Sequence, residues 1–162
     1  MLQISDEGVT LVKTSEAFRG QMYNCPAGHC TIGYGHLVHL GPVGSDPKSE
    51  APFLAGLTEV QASALLREDL RTYEAAVHHL VKVSIDQSEY DALVDFEYNL
   101  GTGALAQSTL LKKLNAGDYD GTAVEFDRWV NANGHRLAGL VARRDAEEAL
   151  FRRDLPRVPL NS

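Results

Sequence analysis

EAFRGQMYNCPAGHCTIGYGH, residues 16–36, begins with a glutamate and closes on a Gly-x-Gly-His turn. Its second half mixes β-branched and aromatic residues with glycines, and the run TIGYGHLV predicts short β-strands joined by tight turns. Glu16, Cys25, Thr31 and His36 therefore fall beside or within one short β-region. A lone glutamate at a helix end is most often a solvated surface residue. Here a thiol and a hydroxyl follow it at intervals of nine and six, which crowds polar and flexible residues into one place.

Upstream, Ser5 is a good N-cap, and the pattern predicts a helix from there to about Phe18. Downstream, Gly41 to Gly56 holds three prolines among several Gly and Ser residues and predicts a loop. Thr58-Glu59-Val60-Gln61 is a capping box. Behind it Leu66, Leu70, Tyr73, Val77 and Leu80 recur at spacings of four and three, one apolar stripe on a long helix. A second box, Asp86-Gln87-Ser88-Glu89, opens a helix whose Tyr90, Leu93, Val94 and Tyr98 face a core and which Gly101 ends. Shorter helices are predicted over Ser108 to Asn115 and Tyr119 to Val130, with a stop at Gly117, and a last one over Leu140 to about Arg153. The organisation is α+β. A small N-terminal lobe with a short sheet covers about 1–57, a connecting helix about 58–80, and an all-α C-terminal lobe about 81–162. In such an arrangement the cleft between lobes is the expected ligand site.

Composition narrows the classes. The chain has 162 residues, 44% of them hydrophobic and 23% charged, as in an ordinary globular domain with a core of its own. No apolar run approaches the length of a membrane span, and the N-terminus MLQISDEGVTLVK lacks the pattern of a signal peptide. A cytoplasmic protein is expected, in need of another route to any outside target. The net charge of −7 argues against a nucleic-acid partner, although Arg136, Arg143, Arg144, Arg152, Arg153 and Arg157 make the C-terminal end locally basic. Two cysteines, Cys25 and Cys30, are too few for a disulfide scaffold.

A second block extends the first: YDALVDFEYNLGTG, residues 90–103, then STLLKKLNAGD, residues 108–118, Arg128-Trp129-Val130, and GLVARRDAE, residues 139–147. Taken with residues 16–36, these blocks resemble, in order and nearly throughout, the phage-type lysozymes of glycoside hydrolase family 24. That family's pattern is Glu, eight residues, Asp or Cys, five residues, Thr, then Gly-x-Gly-His, and every spacing matches; only Gly41–Gly56 has no counterpart. The resemblance implies a two-lobed lysozyme fold and hydrolysis of the β-1,4 bond between N-acetylmuramic acid and N-acetylglucosamine. It implies Glu16 as general acid, water positioned by Cys25 and Thr31, and inversion at the sugar carbon. It further implies sugar contacts from Leu37, Tyr98, Asn99, Ser108 and Arg136, and a His36–Asp69 ion pair that staples the lobes. No cofactor and no metal is implied. The partners implied are peptidoglycan and a holin-type protein that opens the membrane, with a monomer held in the host cytoplasm until lysis and then acting at the wall.

The chemistry asks for such residues. An acid must protonate the departing oxygen while a second group serves water on the other face of the sugar. Partial burial in a cleft keeps a carboxyl protonated near neutral pH. At position 25 a thiol stands where a carboxylate is common; as thiolate it could take a proton from water, as thiol it could only orient it. Both roles stay open on sequence. A lytic transglycosylase, which needs the acid but no water-activating carboxylate, and an inactive wall-binding module are the alternatives. A zinc site from Cys25, His29, Cys30, His36 and His39 is disfavoured because the ligand pairs lie too close together. A cysteine hydrolase using Cys25 with His29 or His36 lacks an orienting partner.

Overall fold

Ser5 starts the first helix as predicted: its hydroxyl accepts the Gly8 amide at 3.1 Å, and its carbonyl accepts the Val9 amide at 3.0 Å. This helix, α1, runs Asp6–Glu16 and stops short of Phe18, because Ala17 takes a left-handed φ of 59° that no helix can continue through. The computed structural model describes residues 1–155; Arg157 of the basic C-terminal group lies outside them. The described residues divide into two compact units, Val12–Arg71 and Met1–Leu11 together with those from Thr72 to Leu155.

In the first of these, β1 (Arg19–Asn24), β2 (Cys30–Gly33) and β3 (His36–His39) form an antiparallel sheet in that order. Every residue of the central strand β2 is buried. The Gly-Tyr-Gly turn works because Gly33 and Gly35 adopt φ of 68° and 87°, where a side chain is strained. Gly41–Gly56 is not wholly loop, as it contains α2 (Pro47–Glu50) and a 3-10 turn, Ala51–Phe53. Asp46 caps α2 by accepting the Ser49 amide, and Pro47 sits at the first helical position, where its missing N–H is no loss. The density of Pro and Gly hid that short helix. The box at Thr58 then opens α3 (Glu59–Leu80): Thr58 Oγ1 accepts the Gln61 amide at 3.2 Å, and Gln61 Oε1 accepts the Thr58 amide at 2.8 Å. Leu66 and Leu70 are buried from this helix, as its stripe predicts.

The other unit is mainly helical: α4 (Gln87–Leu100), α5 (Thr102–Gln107), α6 (Thr109–Asn115), α7 (Tyr119–Ala123) and α8 (Ala138–Phe151). The Asp86–Glu89 box closes reciprocally at 2.8 Å each way. From Ser88 to Glu97, α4 is buried on all sides and is the axis of the core. Phe96 meets Phe126 and Trp129 edge-on, with ring centroids 5.5 and 5.4 Å away. Two arginines of α8 are buried with their partners. Arg143 grips Asp95 with two hydrogen bonds of 2.7 and 2.9 Å, and Arg144 donates to both Glu147 oxygens at 2.8 and 3.0 Å. The helix expected over Tyr119–Val130 ends at Ala123 and resumes only as a 3-10 turn, Phe126–Arg128; Gly121 and Thr122 are weak helix formers. A two-residue hairpin, β4 (Asn131–Ala132) and β5 (His135–Arg136), adds the one β-element of this unit's described residues. Asn133 and Gly134, φ 51° and 77°, supply its turn, the Asn-Gly pair such hairpins favour. Among the described residues no helix is long and apolar enough to cross a membrane.

Candidate active site

Glu16 is the last residue of α1 and is half-buried. The turn at Ala17 sends the chain directly into β1, so Glu16 stands beside the sheet rather than on a free helix face. Thr31 sits on the central strand, 5% exposed, paired with Tyr23 of β1 on one side and Leu37 of β3 on the other. Cross-strand partners share a sheet face, so Tyr23, Thr31 and Leu37 line one face. Leu37 is exposed there. Tyr23 belongs to the same neighbourhood: its hydroxyl is pushed above the usual tyrosine value by burial first and then by the Glu16 charge. The Arg19 guanidinium, 4.9 Å from the ring, works the other way. Sequence reading missed Tyr23 and Arg19. The signal for Tyr23 was the hairpin itself, since a turn between Asn24 and Cys30 puts Tyr23 opposite Thr31.

Cys25 opens that turn. Its amide donates to the His29 carbonyl at 2.9 Å and its carbonyl accepts the Gly28 amide at 2.7 Å, with Gly28 at φ 81°. The thiol is a free cysteine, as is Cys30. Burial alone would raise the Cys25 thiol. Hydrogen bonds from the backbone of His29, Ala27 and Gly28 and from the Thr31 side chain outweigh it, and the thiol is held below its ordinary value. The cradle is made of backbone amides, neither a cation nor a helix N-terminus. The Thr31 hydroxyl also reaches the His29 carbonyl at 3.0 Å. It has one proton to give, so it can turn to sulfur when Cys25 is a thiolate and to the carbonyl when it is a thiol.

His36 Nδ1 lies 2.9 and 3.1 Å from the two Asp69 oxygens. Both residues belong to the Val12–Arg71 unit, where the pair ties β3 to the long helix α3. The remaining expected residues lie in the other unit. Tyr98 meets Tyr73 edge-on at 5.1 Å, and Asn99 Oδ1 accepts from Arg144 Nη2. Ser108 is buried and its hydroxyl is committed: it caps α6 through the Leu111 amide at 3.0 Å and donates to the Leu105 carbonyl at 2.7 Å. That capping role accounts for Ser108 without a sugar. Arg136 is exposed on β5 and lines an open hollow with Ala138, Val141, Ala142 and Asp145.

The phage lysozyme family matches residues 13–147 of the chain. The endolysin of Acyrthosiphon pisum secondary endosymbiont phage 1 is 42% identical over 156 residues, covering 93% of this chain and 98% of its own. The endolysin of Bacillus phage B103 is 40% identical over 93% of this chain but only 54% of its own, so the chain spans about half of that relative. Among solved structures, the muramidase domain of SpmX from Asticaccaulis excentricus superposes with a TM-score of 0.79 at 36% identity, covering 93% of this chain and 98% of that one.

Proposed function

The chain belongs to the phage lysozyme family and is a peptidoglycan-hydrolysing lysozyme; from that premise we propose that Glu16 is its general acid and that Cys25 and Thr31 hold the attacking water. The bond broken is the β-1,4 link from N-acetylmuramic acid to N-acetylglucosamine. Glu16 gives its proton to the departing N-acetylglucosamine oxygen as the bond to the muramic acid carbon lengthens. Water adds to that carbon from the opposite face and surrenders a proton to the Cys25 sulfur, with inversion. Afterwards Glu16 regains a proton and Cys25 loses one through solvent.

The observation that carries this reading is the amide cradle around Cys25. A thiol held below its ordinary value ionises more readily, and its thiolate is the form that takes a proton from water. Thr31, one strand over and within reach of the sulfur, supplies the second contact for the water. Leu37, beside Thr31, is a proposed sugar contact, and Tyr98, Asn99 and Arg136 are others; the Ser108 hydroxyl caps α6. The enzyme acts as a monomer that waits in the host cytoplasm for a membrane-opening partner.

Mass spectrometry of digested peptidoglycan, run on the parent and on Glu16→Gln, tests the assignment. The parent should leave reducing ends and the variant should lose roughly 100-fold or more of its rate. Anhydro-muropeptides from the parent, or a Gln variant that lyses permeabilised cells normally, would refute it.

A further inference from the structure

Alternation along β2 puts Cys30 on the face opposite Thr31. There it pairs with His39 of β3 across a register shift, and α2 brings Glu50 to the same place. The ligand atoms of Cys30, His39 and Glu50 all lie within 4.8 Å of one another. Cys30 is fully buried, Glu50 is 4% exposed, and the His39 side chain 8%.

A thiol, an imidazole and a carboxylate gathered out of solvent form the donor set of a borderline-soft divalent ion. The imidazole is already oriented for that use. His39 Nδ1 faces the Leu40 carbonyl at 3.3 Å, a contact that can hold the ring proton on Nδ1 once Nε2, which donates to Glu50, gives up its own to an ion. Glu50 Oε1 lies 2.7 Å from that Nε2 and accepts the Gly44 amide at 2.7 Å, an outer contact that fixes the carboxylate. The neighbouring histidines are engaged elsewhere: His29 Nδ1 accepts the Gly41 amide at 3.1 Å, and His36 is on Asp69.

We propose that Cys30, His39 and Glu50 bind one zinc ion, with water as the fourth ligand. Tetrahedral zinc with bonds of roughly 2.0–2.3 Å keeps its ligand atoms roughly 3.3–3.6 Å apart. The His39–Glu50 separation of 2.7 Å opens by about half an ångström to admit the ion, and the sulfur, within 4.8 Å of both, completes the set. Binding releases the Cys30 thiol proton and the His39 Nε2 proton to solvent, after which thiolate and carboxylate balance the ion's two positive charges. The ion pins β2, β3 and the 41–56 segment together behind the active face and takes no part in the hydrolysis. The sequence offered Cys30 and His39 among five closely spaced candidates and argued against zinc on that spacing; the third donor, Glu50, lay in a segment read as loop.

Cobalt(II) titration of the full chain, stripped with chelator and kept reduced, tests the site by a signal independent of activity. One ion per chain should bring up thiolate-to-metal charge-transfer absorption, which zinc then abolishes by displacement. Cys25→Ser should retain the band, Cys30→Ser should lose it, and His39→Gln and Glu50→Gln should each bind roughly tenfold or more weakly. Far-UV circular dichroism checks that each variant keeps the parent fold. If Cys30→Ser fails that check, Glu50→Gln, which keeps both thiol and imidazole, decides the matter. No band in the parent, a band that disappears with Cys25 instead, or unchanged affinity in Glu50→Gln overturns the proposal.

Discussion

Glu97 sits in the middle of α4 with no exposed surface and no hydrogen-bond partner for either carboxylate oxygen among the described residues. Burial alone pushes its pKa from 4.5 to about 7. In the folded chain the group is therefore neutral until about pH 7, while in the unfolded chain it ionises near 4.5. Between those values the unfolded state binds fewer protons, so stability falls as pH rises and the loss is complete above the folded value. The displacement corresponds to about 3.4 kcal/mol at 1.36 kcal/mol per pH unit, of which about 2.5 kcal/mol accrues between about pH 5 and about pH 8. Glu97→Gln removes the ionisation while keeping shape and polarity. Urea unfolding of parent and variant across that range should show the variant gaining about 2.5 kcal/mol relative to the parent, or roughly 5–10 °C in melting midpoint for a chain of this size. Other titrating groups bend both curves alike, so the difference isolates Glu97. Two curves that stay parallel from about pH 5 to about pH 8 would refute the reasoning.

Iodoacetamide should alkylate Cys25 with a pH midpoint below the ordinary thiol value of 9.0, and Cys30, buried and raised, should react only on unfolding. Gly28→Ala should move that Cys25 midpoint upward, because φ 81° strains a side chain by about 1 kcal/mol even though a methyl there meets nothing within 4 Å; a circular dichroism spectrum identical to the parent's separates this from misfolding. Wall-lysis assays should find Cys25→Ser slower by roughly 100-fold and Cys25→Asp restored toward the parent; an unimpaired Ser variant would mean that position 25 only orients water. Asp95→Ala removes the two-bond partner of the buried Arg143 guanidinium, with Glu147 still 3.6 Å from its Nε, and should cost roughly 3–5 kcal/mol in urea unfolding.

Much of this was legible in the chain. Both capping boxes formed at the residues that announced them, because an N-cap is a contact between near neighbours that needs no tertiary context. The strands around Thr31 were legible because the glycines of TIGYGH leave little other choice of turn. Other features were hidden by distance or by competing signals. The α2 helix was masked by prolines, one of which is what starts it. Ser108 also caps α6, a role that the sequence reading did not give it. Glu97 and the Cys30–His39–Glu50 cluster are products of burial, and no local pattern reports how deeply a residue will be enclosed. The sharpest gain concerned Cys25, whose electrostatic surroundings come from backbone amides that no residue type encodes.

That last point explains how a thiol can stand where a carboxylate is common. An aspartate carries its charge into any turn, whereas a cysteine becomes a proton acceptor only if its surroundings favour the thiolate. Here they do so through the turn from Cys25 to His29, whose path depends on Gly28 at φ 81° and on the closing hydrogen bonds at both ends. The same five residues join β1 to β2, so the geometry that pairs Tyr23 with Thr31 also aims the amides at the sulfur. Catalytic electrostatics and strand register are thus one construction. On the other face of β2 a single residue step brings Cys30 into a closed cluster in which burial and the Glu50 charge push its thiol up. Two cysteines five residues apart are driven in opposite directions, Cys25 by the amides of the turn and Cys30 by burial on its strand beside Glu50, which leaves Cys25 the reactive thiol of the pair and Cys30 the structural one.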